Sequence, residues 1–156
     1  MKVEFTNRGV VQIEDARLTY KNFRGEGGKY NREGDRGFSV IIPDQETADM
    51  LIDAGWNVKI KAPRDGYEEP FMHLPVKVKF NNRGPAIYVL SGNNPPRRLN
   101  EDTIDMLDEI DIAGVNLDLR PYEWNINGKD GITAYLQAME VIQNLDRFGA
   151  KYAEQN

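Results

Sequence analysis

Apolar and polar positions alternate along most of the chain. Val11 and Ile13 share one parity, whereas Ala16, Leu18 and Tyr20 share the other. A parity switch inside one strand predicts a bulge near Glu14–Asp15, which bends and twists the strand. The stretch 10–20 thus reads as a long bent strand, the kind a small barrel uses to turn a corner. Phe38 to Ile42 is a short apolar strand ending at Pro43. Asp44 is placed to cap a helix that starts at Gln45, with Ala48, Leu51 and Ile52 on one stripe and Gly55 just past its end. Val58 and Ile60 alternate with Lys59 and Lys61, and Val76, Val78 and Phe80 alternate with Lys77 and Lys79. Both segments read as half-buried strands with a lysine pair on the outer face. Between them, Ala62 to Pro75 holds three prolines and a glycine and reads as a loop.

Ala86 to Leu90 is a further strand, and Ser91 to Leu99 a loop carrying Arg97 and Arg98. Asn100 is placed to cap a second helix in which Ile104 and Leu107 face inward. Val115, Leu117 and Leu119 then alternate with Asn116, Asp118 and Arg120, and the strand continues to Ile126. Asn127-Gly128 predicts a type I′ turn, whose two central residues need positive φ, and Ile132 to Ile142 returns as the partner strand. Six or seven strands without regularly alternating helices disfavour a parallel βαβ sheet. The expected fold is mainly β: an OB-type five-stranded barrel with extra strands, a hairpin and two short helices. A β-sandwich is the alternative. One domain over 1–143 is expected, with a polar C-terminal tail over 144–156.

The chain has 156 residues and 40% hydrophobic content, enough for one core. It has no cysteine, which removes disulfides, thiolate metal sites and a Cys nucleophile. No apolar run approaches the roughly 18–20 residues of a spanning helix, and the first ten residues lack the apolar centre of a secretory signal. The expected location is the cytoplasm, with no membrane partner.

Charge changes the picture more than composition does. The formal net charge is −5, which at first argues against a nucleic-acid partner. Yet residues 17–36 carry six bases (Arg17, Lys21, Arg24, Lys29, Arg32, Arg36) against three acids, while 101–111 carry six acids and no base. Local potential, not the total, decides where a polyelectrolyte docks.

The segment 22–37 interleaves these bases with Phe23, Tyr30 and five glycines, and reads as a long loop or flexible hairpin. Cations for phosphates and flat rings for bases are the two requirements of single-stranded nucleic-acid binding. The lysine pairs Lys59/Lys61 and Lys77/Lys79 add charge to one sheet face if their strands are neighbours, although lysines also protect edge strands. Trp56, Tyr88, Tyr122 and Trp124 are further candidate rings, some of which must belong to the core. The acidic segment reads first as a solvated helix face.

Catalytic signatures are missing. His73 is the only histidine, and neither Ser39 nor Ser91 sits in a G-x-S-x-G elbow. The stretch Gly25 to Lys29 fails the phosphate-loop pattern twice, with Phe23 in place of the first glycine and Tyr30 after the lysine. No enzyme activity, cofactor or metal is expected.

Three blocks carry a family likeness: ARLTYKNFRGEGGKYNREGDRGFSVII (16–42), GWNVKIKAPRD (55–65) and RPYEWNINGKDGITAYLQAMEV (120–141). In their order and spacing they resemble phage and prophage single-stranded-DNA-binding proteins with an OB fold. The resemblance implies sequence-independent protection of ssDNA in phage DNA replication or recombination, in a bacterial host cytoplasm. It places Lys29, Tyr30, Asn31 and Arg32 in a DNA-facing loop. Many such proteins end in an acidic tail that recruits partners, whereas this chain ends FGAKYAEQN, nearly neutral. The candidate nucleic-acid-binding residues are therefore Lys21, Phe23, Arg24, Lys29, Tyr30, Asn31, Arg32, Arg36, Trp56, Lys59, Lys61, Lys77, Lys79, Arg97, Arg98 and Trp124. Replication or recombination proteins and a second copy of the chain are left open as further partners. The rival expectation is a phage-encoded protein–protein module or inhibitor on an OB-like scaffold without DNA affinity.

Overall fold

The computed structural model describes residues 1–63, 69–81 and 84–145. Among these the order is β1 (Lys2–Phe5), β2 (Val11–Ala16), β3 (Leu18–Asn22), β4 (Arg36–Ile41), α1 (Gln45–Asp53), β5 (Lys59–Lys61) and β6 (Phe71–Val78). Then follow β7 (Ala86–Leu90), β8 (Arg97–Leu99), a 3₁₀ segment (Ile104–Asp108), β9 (Ile112–Ile126) and β10 (Lys129–Gln143). The fold is mainly β, as the alternation predicts. The 146–156 part of the expected tail lies outside the described residues.

One sheet joins the strands in the order β1-β2-β9-β10-β6-β4-β3, with β5 on β6 and β7–β8 on β10. All ladders are antiparallel except those from β10 to β6 and to β7. The hydrogen-bonded path is open: among the described residues no ladder joins its ends, β1 and β3, and none joins β2 to β3. The chain itself makes that connection across Arg17, so β2 pairs with β9 and β3 with β4. The expected bent strand is thus present, but as two strands rather than as a stave of a closed barrel.

The bend has the expected cause. Asp15 has φ 55°, and the β2–β9 register shifts between Ile13 and Ala16. The N–H freed by this bulge donates to Asn116 Oδ1 at 2.9 Å, which ties the bulge to β9. A second bulge was not legible. The β3–β4 register shifts between Thr19 and Asn22, and Tyr20 has φ 50°.

Inward positions of the strands form one apolar cluster, including Val11, Ile13, Phe38, Val40, Leu74, Val76, Leu117, Leu119 and Met139. Helix α1 covers it with Ala48 and Leu51, and Asp44 accepts from Thr47 N at 2.7 Å as the cap. At the far end Asn127 and Gly128 have φ 53° and 81°, the backbone a type I′ hairpin turn demands.

Two local expectations are corrected. Strand β6 begins at Phe71, inside the stretch read as loop. Met72, Leu74, Val76 and Val78 form a regular buried alternation that Pro75 obscures. Pro75 is tolerated because its neighbour changes there: His73 is the last residue paired to β5 and Val76 the first paired to β10. The second helix is only the 3₁₀ segment. Asn100 does accept from Asp102 N and Thr103 N, but the turn tightens where it is tied to the loop after β3, and 3₁₀ runs stay short.

Candidate nucleic-acid interface

The outward positions of β3, β4 and β6 and the loop 23–35 enclose a groove of ≈ 800 Å³. Small residues of β4, Gly37 and the buried Ser39, line its floor. A Cβ on Gly37 would lie 2.8 Å from Val76 O, so only glycine permits this approach of β4 to β6. Across that floor the Tyr20 ring meets His73 at 5.2 Å and Phe71 at 6.2 Å, both edge-on. The bulge at Tyr20 turns a residue that simple parity groups with Ala16 and Leu18 into a 58% exposed ring.

Five bases line the groove (Arg32, Arg36, Lys59, Lys77 and Lys79) against one acid, Asp35. Lys59 sits opposite His73 and Lys61 opposite Phe71, while Lys77 lies farther along β6 beside Tyr135 of β10. The two lysine strands are indeed neighbours, but the pairs are offset along β6. No ion pair of Lys59, Lys61, Lys77 or Lys79 occurs among the described residues. Burial, followed by the charges of Lys59 and Lys61, pushes the His73 pKa below its ordinary value. Its Nδ1 lies 2.9 Å from Ser39 Oγ.

The loop 23–35 forms the rim, and it is more tied than its glycines suggest. Gly28 and Asn31 bridge to each other, and Asn31 Nδ2 donates to the carbonyls of Glu26, Arg32 and Asp35. The side chain of Asn31 is therefore spent on the loop itself. Tyr30 stands 92% exposed at the groove edge with Lys29 Nζ 5.4 Å from its ring. Arg32 also lines the groove and pairs with Asp35 at 3.2 Å.

On the opposite side, Lys79 and Arg120 flank the Tyr135 ring at 5.9 and 5.1 Å, and Tyr122 meets it edge-on at 6.0 Å. Lys79 is common to the groove and to an adjoining hollow that Arg120 and Gln137 line. Aromatic and basic side chains thus continue from β3 to β9.

Several sequence candidates are placed elsewhere. Phe23 is fully buried and stacks on Phe38 at 5.2 Å, and Trp56 is 5% exposed beneath the hairpin, bridged to Ile132. Both rings are core, because the chain enters the loop and leaves α1 over apolar surface. Trp124 is half-buried and lies flat against Gly131, where any Cβ would run into its ring. It faces a separate hollow beside Gly55 and Ile132. Arg97 and Arg98 are exposed on β8 and do not line the groove; Arg98 lies 5.8 Å from the Tyr88 ring.

The stem of the loop is occupied by the acidic segment. Arg24 bonds Glu109 at 2.7 Å, Arg36 reaches Glu101 at 3.4 Å, and Lys21 Nζ donates to Leu107 O at 2.9 Å. These three bases have partners within the protein. The acidic segment is thus not simply a solvated face. Sequence reasoning missed Tyr20, Phe71, His73, Arg120 and Tyr135. Only Arg120 and Tyr135 carried a signal, their outward parity beside buried Leu119, Ala134 and Leu136.

Among the described residues, no group of three His, Asp or Glu side chains is placed to hold a metal ion, and no helix is long and apolar enough to cross a membrane.

Comparison with known proteins gives a family and a fold. The chain matches the family model described as "Putative phage ssDNA-binding domain" over residues 2–156. No curated protein sequence matches it. Among solved structures, the single-stranded DNA-binding protein from bacteriophage Enc34 in complex with ssDNA aligns with TM-score 0.57 at 12% identity, covering 91% of this chain and 90% of that one. A second structure of the same phage protein gives TM-score 0.56 at 13% identity, over 95% and 93% of the two chains. Its C-terminal truncation gives 0.53 at 13% identity, over 90% and 88%. These likenesses show a shared OB-type fold.

Proposed function

The chain belongs to the phage ssDNA-binding domain family, and on that premise we propose that it binds single-stranded DNA in the groove over β3, β4 and β6. The observation that carries this reading is the combination of exposed Tyr20 and Tyr30 rings with lysines that have no carboxylate partner among the described residues. Rings stack on any base and lysines meet any phosphate, so binding is largely independent of sequence. The fold-neighbour from bacteriophage Enc34 is described in complex with ssDNA, which supports the same use of this scaffold. The protein acts by covering ssDNA during replication or recombination, without catalysis, and residues 1–143 form the binding domain. Lys59, Lys77, Lys79 and Arg32 hold phosphates, and Tyr20, Tyr30 and His73 hold bases.

The test is a titration of a fluorescent oligo-dT at two salt concentrations. Anisotropy should rise at submicromolar protein and the affinity should fall steeply with salt. A flat anisotropy at micromolar protein and low salt excludes the reading.

A further inference from the structure

The loop that carries Tyr30 has no apolar side chain at its tip to hold it over the groove. Its one buried ring, Phe23, is at the stem. What anchors that stem comes from far along the chain. Both carboxylate oxygens of Asp108 are used, Oδ1 accepting from Phe23 N at 2.8 Å and Oδ2 from Arg24 N at 2.9 Å. Two consecutive backbone N–H groups are thus fixed by one half-buried carboxylate. Arg36, at the other end of the loop, donates through Nε to Phe23 O at 2.8 Å. Inside these ties Gly34 N donates to Gly25 O at 2.8 Å, closing the stem. Gly25 has φ 69°, and a Cβ there would meet Gly34 C at 3.0 Å, so the close approach needs glycine.

We infer that Asp108 is a positioning residue for ssDNA binding: it fixes the exit of the chain from β3 and so holds Tyr30 in place at the groove edge before DNA arrives. This inference rests on the groove being the ssDNA site. Its logic is pre-organisation: a loop already ordered in its binding geometry loses less conformational freedom on binding.

Electrostatics makes the proposal sharp, because the two effects of removing the charge have opposite signs. Asp108 is an anion near a site for a polyanion. If it mattered only as a charge, neutralising it would strengthen DNA binding. As a clamp, it does the reverse. In Asp108→Asn only one amide oxygen remains to accept, and the amide N–H₂ faces a backbone donor. Asp105 is the control. It lies on the same segment and acts on Arg24 through its charge, and among the described residues no hydrogen bond joins it to the loop.

The experiment measures oligo-dT affinity of the full chain, Asp108→Asn, Asp105→Asn, Tyr30→Ala and the double variant Asp108→Asn/Tyr30→Ala at fixed salt. Thermal melts of each confirm that it is folded. We expect Asp108→Asn to bind about tenfold more weakly, the scale of one charged hydrogen bond. Asp105→Asn should bind as well as wild type or more tightly. In the Tyr30→Ala background the Asp108 substitution should have little further effect, since it acts through that ring. Equal or tighter binding by Asp108→Asn overturns the inference, as does a loss of the same size with and without Tyr30. If the wild type itself does not bind, the ssDNA reading falls. If the wild type binds and Asp108→Asn binds equally well, only the clamp falls.

Discussion

Tyr20 lies edge-on to His73, ring centroids 5.2 Å apart, although their strands are not neighbours in the sheet. The contact crosses β4, where Ile41 lies opposite His73 and Ser39 opposite Thr19, with Ser39 Oγ 2.9 Å from His73 Nδ1. A non-glycine residue at φ 50° is held there at a local cost. The chain bears that cost at a position where the side chain is exposed and contributes little to the core. Strain at an exposed ring in a basic groove fits a binding role better than a folding one.

Tyr20→Ala should accordingly weaken oligo-dT binding by about 1–3 kcal/mol, the range for losing one base–aromatic stack. Its melting temperature should hardly move. A drop in stability with unchanged DNA affinity would make Tyr20 a structural residue and displace the groove from this face.

The lysines test the phosphate side of the same site. For single strands the log–log salt dependence is about −0.7 per phosphate neutralised. Lys59→Gln with Lys77→Gln should therefore make the slope shallower by about 0.7 for each phosphate that is no longer neutralised. Arg97→Gln with Arg98→Gln should leave it unchanged, because neither side chain lines the groove. An unchanged slope for the lysine pair and a reduced one for the arginine pair would move the DNA path to β8.

Much of this fold was legible in the chain because burial alternates. The pairs Val11/Ile13, Val76/Val78 and Leu117/Leu119 point inward, and the Asn127-Gly128 turn sets the register of the long hairpin. Lys77 was legible as outward for the same reason, whereas β5 is exposed along its whole length, Ile60 at 52%, so the alternation expected there did not report burial. What could not be read were features that depend on distant partners. The bulge at Tyr20 reverses parity without a glycine or proline to announce it. Pro75 masks a strand that only its neighbours β4, β5 and β10 define. Arg24 and Arg36 look free in the sequence, yet their acids lie 85 and 65 residues away. Aromatic residues in a basic loop also look like stacking rings until burial separates Phe23 from Tyr30.

That separation has its own consequence. Phe23 is fully buried and stacked on Phe38, so Phe23→Ala removes a core ring and leaves a cavity. The expected cost is about 3–5 kcal/mol in urea-induced unfolding. Tyr30→Ala, at 92% exposure, should leave the unfolding midpoint where it is and weaken DNA binding instead. If the two substitutions exchange these effects, the assignment of the loop's rings is inverted.

His73 links the groove to pH. Its proton affinity in the free protein is lowered, first by burial and then by Lys59 and Lys61. Tyr20 from β3, Ser39 from β4 and Phe71 from β6 complete its surroundings, and none of them carries charge near neutral pH. The unfolded chain therefore binds the proton more readily than the native one. Stability should be full above the ordinary histidine range, about 6.5, and decline as pH falls below it. Phosphates bound beside Lys59 would offset the second of these causes, the lysine charges that disfavour the imidazolium. The complex then takes up a proton that the free protein does not hold, and oligo-dT affinity should rise as pH falls from about 7.5 toward about 5.5, the range that brackets an ordinary histidine. One proton limits the rise to about tenfold per pH unit. His73→Gln should flatten the dependence while retaining binding at the upper end of that range. A His73→Gln profile as steep as that of the wild type would show that the proton is taken up elsewhere.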